Sequence, residues 1–479
     1  MGTQFYYRGY LTSCNYSCKY CPFSKRKMTA EQEKKDRQAL EKFLCQMEAE
    51  TEEHALQIVP YGEALVHPYY WEAMAKFSQI RTEVYTGCQT NLSFPVEQML
   101  SLFESCGGEK QKLRLWCTFH PSMTSVDTFV RQCKKLAQAG IAYCVGVVGD
   151  PDERSSIQKL REELPEEIYV WINRMEGRRK RYTETEIQEF QKIDPYFFLE
   201  LHHFRADSNQ CRHSVFQEAG GDRYFCNLHA AQAGRIPDNH SCKRKECNCY
   251  LAYCNRMDVK ELLFFQPYPA FRIPVYPKGI FLDVDGTLIA EGERALSDSM
   301  AEKIQWLAKK SKLYLATALP FPEAMAKCRK IINCLSGGVF ADGGHILVWK
   351  QTEQGRRKIL WEEVKSAGTL SKNLRCRTYQ IRGVVYKYTL LCRRKQGWMP
   401  GEAEALIREI ENSVNNRERI KIHRENRHIG ITSVDADKKT GVEMICTREG
   451  IAPEEGMAIG NDAEDLPMLS LFPRSLYVE

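Results

Sequence analysis

Ile280-Phe281-Leu282-Asp283-Val284-Asp285-Gly286-Thr287-Leu288 is an apolar run that ends in two carboxylates two positions apart. In extended chain alternate residues face the same way, so Asp283 and Asp285 share one side of the strand end. A turn through Gly286 lets both approach one centre. A nucleophilic aspartate with a neighbouring acid/base aspartate fits phosphoryl transfer through an aspartyl-phosphate. Strand–helix alternation from Gly279 onward predicts an α/β unit built on a parallel sheet.

This motif resembles the haloacid dehalogenase (HAD) hydrolase superfamily, and the following chain has the order that the resemblance implies. Leu313–Thr317 reads as a strand ending in the hydroxyl that would hold the substrate phosphate. Lys438, after Asp437, would neutralise nucleophile and phosphate, with Lys439 as the alternative. Ala458-Ile459-Gly460-Asn461-Asp462, continuing through Asp465 to Met468-Leu469, resembles the metal motif; Asp465 joins Asp283 and Asp285 as Mg²⁺ ligands. Asn461 stands where many members have aspartate, Glu464 where asparagine is usual, and Ala318-Leu319-Pro320 replaces the common Gly-Arg after Thr317.

About a hundred residues separate Thr317 from Lys438, too many for a loop. They contain strand-like Ile346–Lys350, Val384–Cys392 and Ile420–His423 and a helix from Glu402 to Asn412. This resembles the α/β cap of the Cof-type (C2) branch, an insertion at about 345–428 that selects small phosphorylated substrates. Arg375, Arg377 and Arg393 there suit an anionic ligand.

Towards the N-terminus, short apolar runs alternate with charged helical patterns. Strands are expected at Phe5–Leu11, Leu56–Pro60, Glu83–Gln89, Leu113–Phe119, Ile141–Val148 and Ile168–Asn173, with helices such as Ala30–Glu50 and Val126–Ala139 between them. About six such units predict an open, partial (β/α)6 barrel with its site at the carboxyl ends of the strands. Cys14-x3-Cys18-x2-Cys21 follows the first strand directly. Three thiolates leave a four-iron cluster one ligand short, since such clusters normally take four. A structural zinc knuckle and chance spacing are the alternatives; Cys45, inside a helical pattern, is a poor fourth zinc ligand.

The loop resembles the radical S-adenosyl-L-methionine (SAM) superfamily over roughly the first half of the chain. The resemblance implies a 4Fe–4S cluster on Cys14, Cys18 and Cys21, with SAM capping the open iron and yielding a 5′-deoxyadenosyl radical. It places Tyr20, Gly62 and Glu63 of Tyr61-Gly62-Glu63, Gln89 and Asn91 of Gln89-Thr90-Asn91, and Gly149 at the cofactor, Glu63 accepting from the SAM ammonium. The first glycine of the family's Gly-Gly-Glu turn is missing, and Asp152 replaces the usual glutamate beside Gly149. A reductant such as flavodoxin or ferredoxin is also implied.

Between 206 and 260 the composition turns to Cys, Asn, Arg and Gly. Cys211 and Cys226, then Cys242, Cys247 and Cys249, with Cys254 beyond, resemble the SPASM/twitch extension that binds an auxiliary Fe–S cluster behind many radical SAM barrels. The second half departs from the usual C-x2-C spacing, and four thiolates suit zinc equally well. Such extensions commonly accompany peptide-modifying enzymes. Pro267, Pro269, Pro274 and Pro277 mark a linker over 261–278.

The expected organisation is therefore a radical SAM partial barrel at 1–205, the Cys-rich extension, the linker, and a Rossmann-like HAD core with its cap at 279–479. With 43% hydrophobic and 27% charged residues and a net charge of +6, composition is that of ordinary globular material. Residues 1–13 lack the basic and apolar regions of a signal peptide, and no apolar stretch would span a bilayer. The 20 cysteines then read as reduced and cytoplasmic, metal ligands where clustered. The basic run Arg178-Arg179-Lys180-Arg181 reads as a solvated loop, so neither membrane nor specific nucleic acid is an expected partner. The expectation is a bifunctional enzyme acting on a small molecule or peptide. Its alternatives are a radical SAM enzyme with a non-catalytic phosphate-binding module, and a zinc-binding regulatory protein.

Overall fold

Six parallel strands follow one another across the N-terminal sheet in sequence order: β1 (Thr3–Gly9), β2 (His54–Ile58), β3 (Glu83–Thr90), β4 (Leu113–Phe119), β5 (Ala142–Val148) and β6 (Val170–Asn173). Helices α1 (Ala30–Glu48), α2 (Pro68–Ser78), α3 (Val96–Ser105), α4 (Val126–Gln138) and α5 (Arg154–Glu163) connect them, and α6 (Glu184–Gln191) and α7 (Phe197–Leu201) follow. The computed structural model describes residues 3–21, 27–175, 181–201, 204–205, 214–224, 226, 246–247, 264–265, 271–352, 354, 356–370, 374–392, 394, 396–413, 419–424 and 427–478. The chain divides into two units, Met1–Val275 and Tyr276–Glu479.

The first sheet is singly wound. Phe5, Tyr7, Leu56, Ile58, Leu115 and Val145 face a core to which α1 to α6 contribute Leu40, Trp71, Phe103, Phe129, Ile157 and Phe190. On the opposite face Tyr6, Ala55, Tyr85, Trp116, Cys144 and Trp171 pack with Phe216, Phe265 and Phe271. Burial on both faces explains why these strands read as continuous apolar runs. Strand order runs one way from β1 to β6, and the sheet does not close into a barrel: among the described strands its edges are β6 and a short antiparallel β9 (Arg223–Tyr224).

Two expected boundaries shift. The first strand stops at Gly9 instead of Leu11, because Gly9 turns left-handed at φ +65°. Residues 214–218, assigned from sequence to the Cys-rich extension, form β8, which pairs parallel with β1. The other described strands of the extension, β7 (Phe204–Arg205) and β10 (Glu246–Cys247), make a separate antiparallel pair.

In the second unit a seven-stranded sheet runs β15-β14-β13-β12-β11-β20-β21. Its strands are β11 (Gly279–Leu282), β12 (Lys312–Ala316), β13 (Leu335–Phe340), β14 (His345–Gln351), β15 (Arg357–Val364), β20 (Gly456–Gly460) and β21 (Leu476–Tyr477). Strand order leaves β11 in both directions, through β12 on one side and β20 on the other. Such a switch point opens a crevice beyond the carboxyl ends of the strands. Helices α8 (Asp298–Ala308) and α9 (Phe321–Lys327) precede the insertion.

A four-stranded antiparallel sheet, β16-β17-β19-β18, comprises β16 (Arg377–Ile381), β17 (Val384–Leu391), β18 (Ile420–Arg424) and β19 (His428–Ser433). α10 (Glu402–Ser413) covers its apolar face, and the chain returns to the core through α11 (Lys438–Glu449) and α12 (Leu466–Leu469). The insertion is thus shorter than the expected 345–428. β14 and β15 extend the core sheet as an antiparallel meander, with Ile346 and Val348 in the core beside Phe281. Among the described residues no helix is long and apolar enough to cross a membrane.

Candidate active sites

Asp283 emerges from β11 with its amide bonded to the Ile459 carbonyl at 2.9 Å, which fixes it between the ends of β11 and β20. The turn after it needs glycine at 286. That residue has φ +81°, and a β-carbon there would sit 2.0 Å from Asn461 Nδ2. Asp465 is fully buried; its Oδ2 accepts from the Asn461 amide at 3.1 Å and the Asp462 amide at 3.2 Å. Lys438, first residue of α11, donates to Asp465 Oδ1 at 2.6 Å and Asp283 Oδ1 at 3.1 Å. Burial opposes the Lys438 ammonium, but the Asp283 and Asp465 carboxylates more than offset it and its pKa rises. Burial pushes Asp283 up to about 6 against the pull of Lys438. Lys439, the alternative cation, instead lies 3.9 Å from Glu443 on the helix surface.

Thr317 follows β12, buried, with its amide on the Val339 carbonyl at 2.9 Å and its hydroxyl accepting from the Leu319 amide at 3.1 Å. Asp285 is half exposed and pairs with Lys327 at 2.5 Å, while the Thr287 hydroxyl donates to Asn461 Oδ1 at 2.9 Å. Sequence reading missed Asp342. It sits in a run of three left-handed residues, Ala341 (φ 51°), Asp342 (φ 53°) and Gly343 (φ 96°), and adds to the field that raises Lys438. A β-carbon at 343 would lie 2.4 Å from the Asp437 carbonyl oxygen, so this turn is pressed against the start of α11. The Ala341-Asp342-Gly343-Gly344 sequence, with two glycines at a strand end, was the available signal.

In the first unit the cysteine loop lies over the ends of β2 and β3. The Glu63 amide donates to the Ser13 carbonyl at 3.0 Å. Gly62 approaches so closely that a β-carbon would stand 1.9 Å from that carbonyl oxygen. Glu63 is buried: Oε1 accepts from the Thr90 hydroxyl at 2.6 Å and the Leu65 amide at 3.2 Å, and Oε2 from the Asn91 amide at 2.6 Å. Burial lifts its carboxyl to about 7 against these donors. Glu63 therefore clamps the end of β3 to that of β2 with internal donors on both oxygens. The Asn91 amide group bonds Asn15 Oδ1 at 2.9 Å and reaches Cys14 Sγ at 3.9 Å.

Burial raises the Cys14 thiol and pushes Cys18 up to about 11; Cys21 adds to both. Tyr20 hydrogen-bonds His120 Nδ1 at 2.6 Å, and Tyr16 meets the same ring edge-on. Burial lowers His120, which follows β4 and was not anticipated, to about 4, so its ring is neutral near pH 7. Gln89 Nε2 lies 3.5 Å from Thr118 Oγ1. Gly149 follows β5, its amide on the Asn173 carbonyl at 2.8 Å and its carbonyl accepting from the Tyr182 hydroxyl at 2.7 Å. Cys226 is half-buried. Cys211, Cys242, Cys249 and Cys254 lie outside the described residues, as does the side chain of Cys247.

Among the described residues no three His, Cys, Asp or Glu side chains converge as ligands of one metal ion. At the acidic pair, the Lys438 ammonium bridges the two carboxylates. Asp283 and Asp465 supply the hard oxygen donors that Mg²⁺ takes, whereas Asp285, the third ligand expected from sequence, pairs with Lys327. Cys14, Cys18 and Cys21 supply soft thiolates, and in a cubane each would bind a different iron, so they need not meet at one point.

Residues 399–479 match the family model of haloacid dehalogenase-like hydrolases. No curated protein matches the chain. Solved structures similar to it include a HAD subclass IIB sugar phosphatase, at 17% identity over 41% of this chain and 85% of that one, with a TM-score of 0.30. A haloacid dehalogenase-like hydrolase from Bacteroides thetaiotaomicron matches at 17% identity over 42% and 86%, TM-score 0.32. A protein from Thermotoga maritima matches at 13% over 42% and 85%, TM-score 0.32. The end of the chain, which contains Lys438, Asn461 and Asp465, thus carries a HAD-like hydrolase sequence.

Proposed function

We propose that the second unit is a Mg²⁺-dependent phosphomonoesterase acting through Asp283. The observation that carries this reading is the Lys438 ammonium held between Asp283 and Asp465, of which Lys438 and Asp465 lie in the stretch that matches the hydrolase model. An Asp283 oxygen attacks phosphorus as the ester P–O bond breaks, and Asp285 gives its proton to the departing alkoxide. Asp285 then takes a proton from water, whose oxygen attacks the acyl-phosphate and releases inorganic phosphate and the Asp283 carboxylate. Lys438 and the Thr317 hydroxyl stabilise phosphoryl oxygens throughout. Asp283 and Asp465 would hold Mg²⁺, which when bound offsets the charge of those oxygens. Hydrolysis of p-nitrophenyl phosphate by wild type, abolished in Asp283→Asn, is the expected result. An undiminished rate in that variant overturns the assignment, and no hydrolysis by wild type favours a phosphate-binding module.

For the first unit the reading is a radical SAM enzyme. Its support is the seating of the Cys14–Cys21 loop on Gly62 and Asn91, beside the ends of adjacent parallel strands. Cys14, Cys18 and Cys21 would hold a 4Fe–4S cluster that supplies the electron for SAM cleavage. Tyr20, Gln89, Asn91 and Gly149 would line the cofactor. An auxiliary cluster on cysteines of 206–260, a flavodoxin- or ferredoxin-like reductant and a small-molecule or peptide substrate complete the proposal. Anaerobic reconstitution should give 5′-deoxyadenosine from SAM. Retention of that activity in Cys18→Ala overturns the assignment, and a colourless zinc protein favours the regulatory alternative.

A further inference from the structure

The insertion's sheet has two unlike faces. Register pairs Tyr388 with Ile431 and Ile422 with Ile431, and these residues pack with Leu390, Ile429, Ala403 and Ile410 under α10. On the reverse face Thr389 opposes Gly430, which opposes His423, and Thr432 opposes Lys421. Lys387 shares it, two positions before Thr389; a β-carbon at 430 would stand 3.4 Å from Lys387 Cε. This polar face is itself largely withdrawn from water: Lys387 is 7% exposed, Thr389 9% and Thr432 0%.

Three polar groups there lack what burial ordinarily demands. Lys387 Nζ donates to the Ala318 carbonyl at 2.6 Å, but among the described residues no carboxylate lies within ion-pair distance of it. Thr432 Oγ1 and His423 Nε2 are buried without a hydrogen-bond partner among the described residues. A buried ammonium without a directly paired carboxylate is costly, and the Asp342 and Glu464 carboxylates act on the neighbouring His423 without contacting Lys387. Ala318 directly follows Thr317, so the ammonium is anchored on the residue next to the hydroxyl assigned to phosphate. The core side already has Asp283, Asp465 and Asp342 around Lys438, which leaves no surplus cation there for a second anion.

We propose that Lys387, Thr432 and His423 form the leaving-group subsite of the phosphatase and select phosphomonoesters that carry a second anionic group on a short carbon skeleton. The second anion, carboxylate or phosphate, takes the ammonium as counter-ion and the Thr432 hydroxyl and His423 imidazole as hydrogen-bond partners. This rests on the phosphatase reading of Asp283.

The test is binding, measured calorimetrically with Mg²⁺ on full-length Asp283→Asn protein. The probes are 3-phosphoglycerate against glycerol 3-phosphate for a carboxylate, and fructose 1,6-bisphosphate against fructose 6-phosphate for a second phosphate. In at least one pair the doubly anionic compound should bind more than about tenfold tighter, and Lys387→Met should weaken that compound roughly thirtyfold. Lys387→Arg should retain part of the preference. If Lys387→Met does not fold, Thr432→Val is read instead and should reduce the same preference about fivefold. Equal binding within both pairs, or a preference that survives these changes, overturns the subsite. A wild type that hydrolyses no phosphomonoester overturns the phosphatase reading separately, while the binding ratios still decide the subsite.

Discussion

Lys438 donates to Asp283 at 3.1 Å across 155 positions of sequence, and both side chains are buried. The contact ties the first residue of α11 to the end of β11, and Asp465 completes it on the far side of the ammonium. The ammonium stands between two buried carboxylates, and its loss leaves both without their counter-charge.

Lys438→Met should therefore damage stability and chemistry together. It leaves two uncompensated carboxylates side by side, a loss of about 3–5 kcal/mol for a broken buried pair. Phosphatase turnover should fall by about 10²–10³-fold, as when one preorganised charge partner of a transition state is removed. Thermal unfolding and p-nitrophenyl phosphate kinetics check both. Lys439→Met, on the helix surface, should change stability by under about 0.5 kcal/mol.

Gly62→Ala tests the seating of the cysteine loop. The new methyl would lie 1.9 Å from the Ser13 carbonyl oxygen, a backbone atom that cannot rotate away. The loop must lift, at about 1–3 kcal/mol of overpacking strain. Anaerobically reconstituted Gly62→Ala should lose most of its iron, measured per chain, with the rest of the first unit folded by circular dichroism. Wild-type iron content in the variant would show that the loop does not need this seat.

Asp283, Lys438 and Asp465, which the structure brings into contact, were legible because each stands at a strand end or helix start marked by local sequence. Asp342, Lys387 and His120 were not, because each matters through a neighbour far away in the chain: Lys438, Ala318 and Tyr20. The same limit misplaced the cap. His345–Gln351 has an apolar pattern that serves either sheet, and only its pairing with β13 assigns it to the core. Glu63 shows the limit at one residue. Its place after β2 was readable, whereas its saturation by Thr90, Leu65 and Asn91 depended on how β3 ends.

Glu63→Gln separates those two readings. The amide keeps one accepting oxygen, so a buried donor among the Thr90 hydroxyl and the Leu65 and Asn91 amides loses its partner, at about 1–3 kcal/mol. The clamp predicts that loss in protein free of SAM, read as a lower urea midpoint. A variant of unchanged stability that binds SAM more weakly would instead place the carboxylate's main contact at the cofactor.

Asp194 gives a pH dependence with a definite sign. Burial pushes its carboxyl up to about 6, although Arg272, Tyr169 and the amides of Ile172 and Tyr196 oppose this. The folded state thus binds the proton more tightly than the unfolded chain, whose aspartates titrate near 3.9. The first unit should be most stable below about pH 4 with respect to this group and lose about 3 kcal/mol as pH rises to 6, with little further change above. Asp194→Asn cannot ionise, so its stability should lack that component while being lower throughout, since its amide cannot accept every donor that the carboxylate serves. Native-state hydrogen exchange in the first unit at pH 4.5 and 6.5 measures the difference. The gap between wild type and Asp194→Asn should narrow at the higher pH, and a gap that widens would reverse the assigned shift.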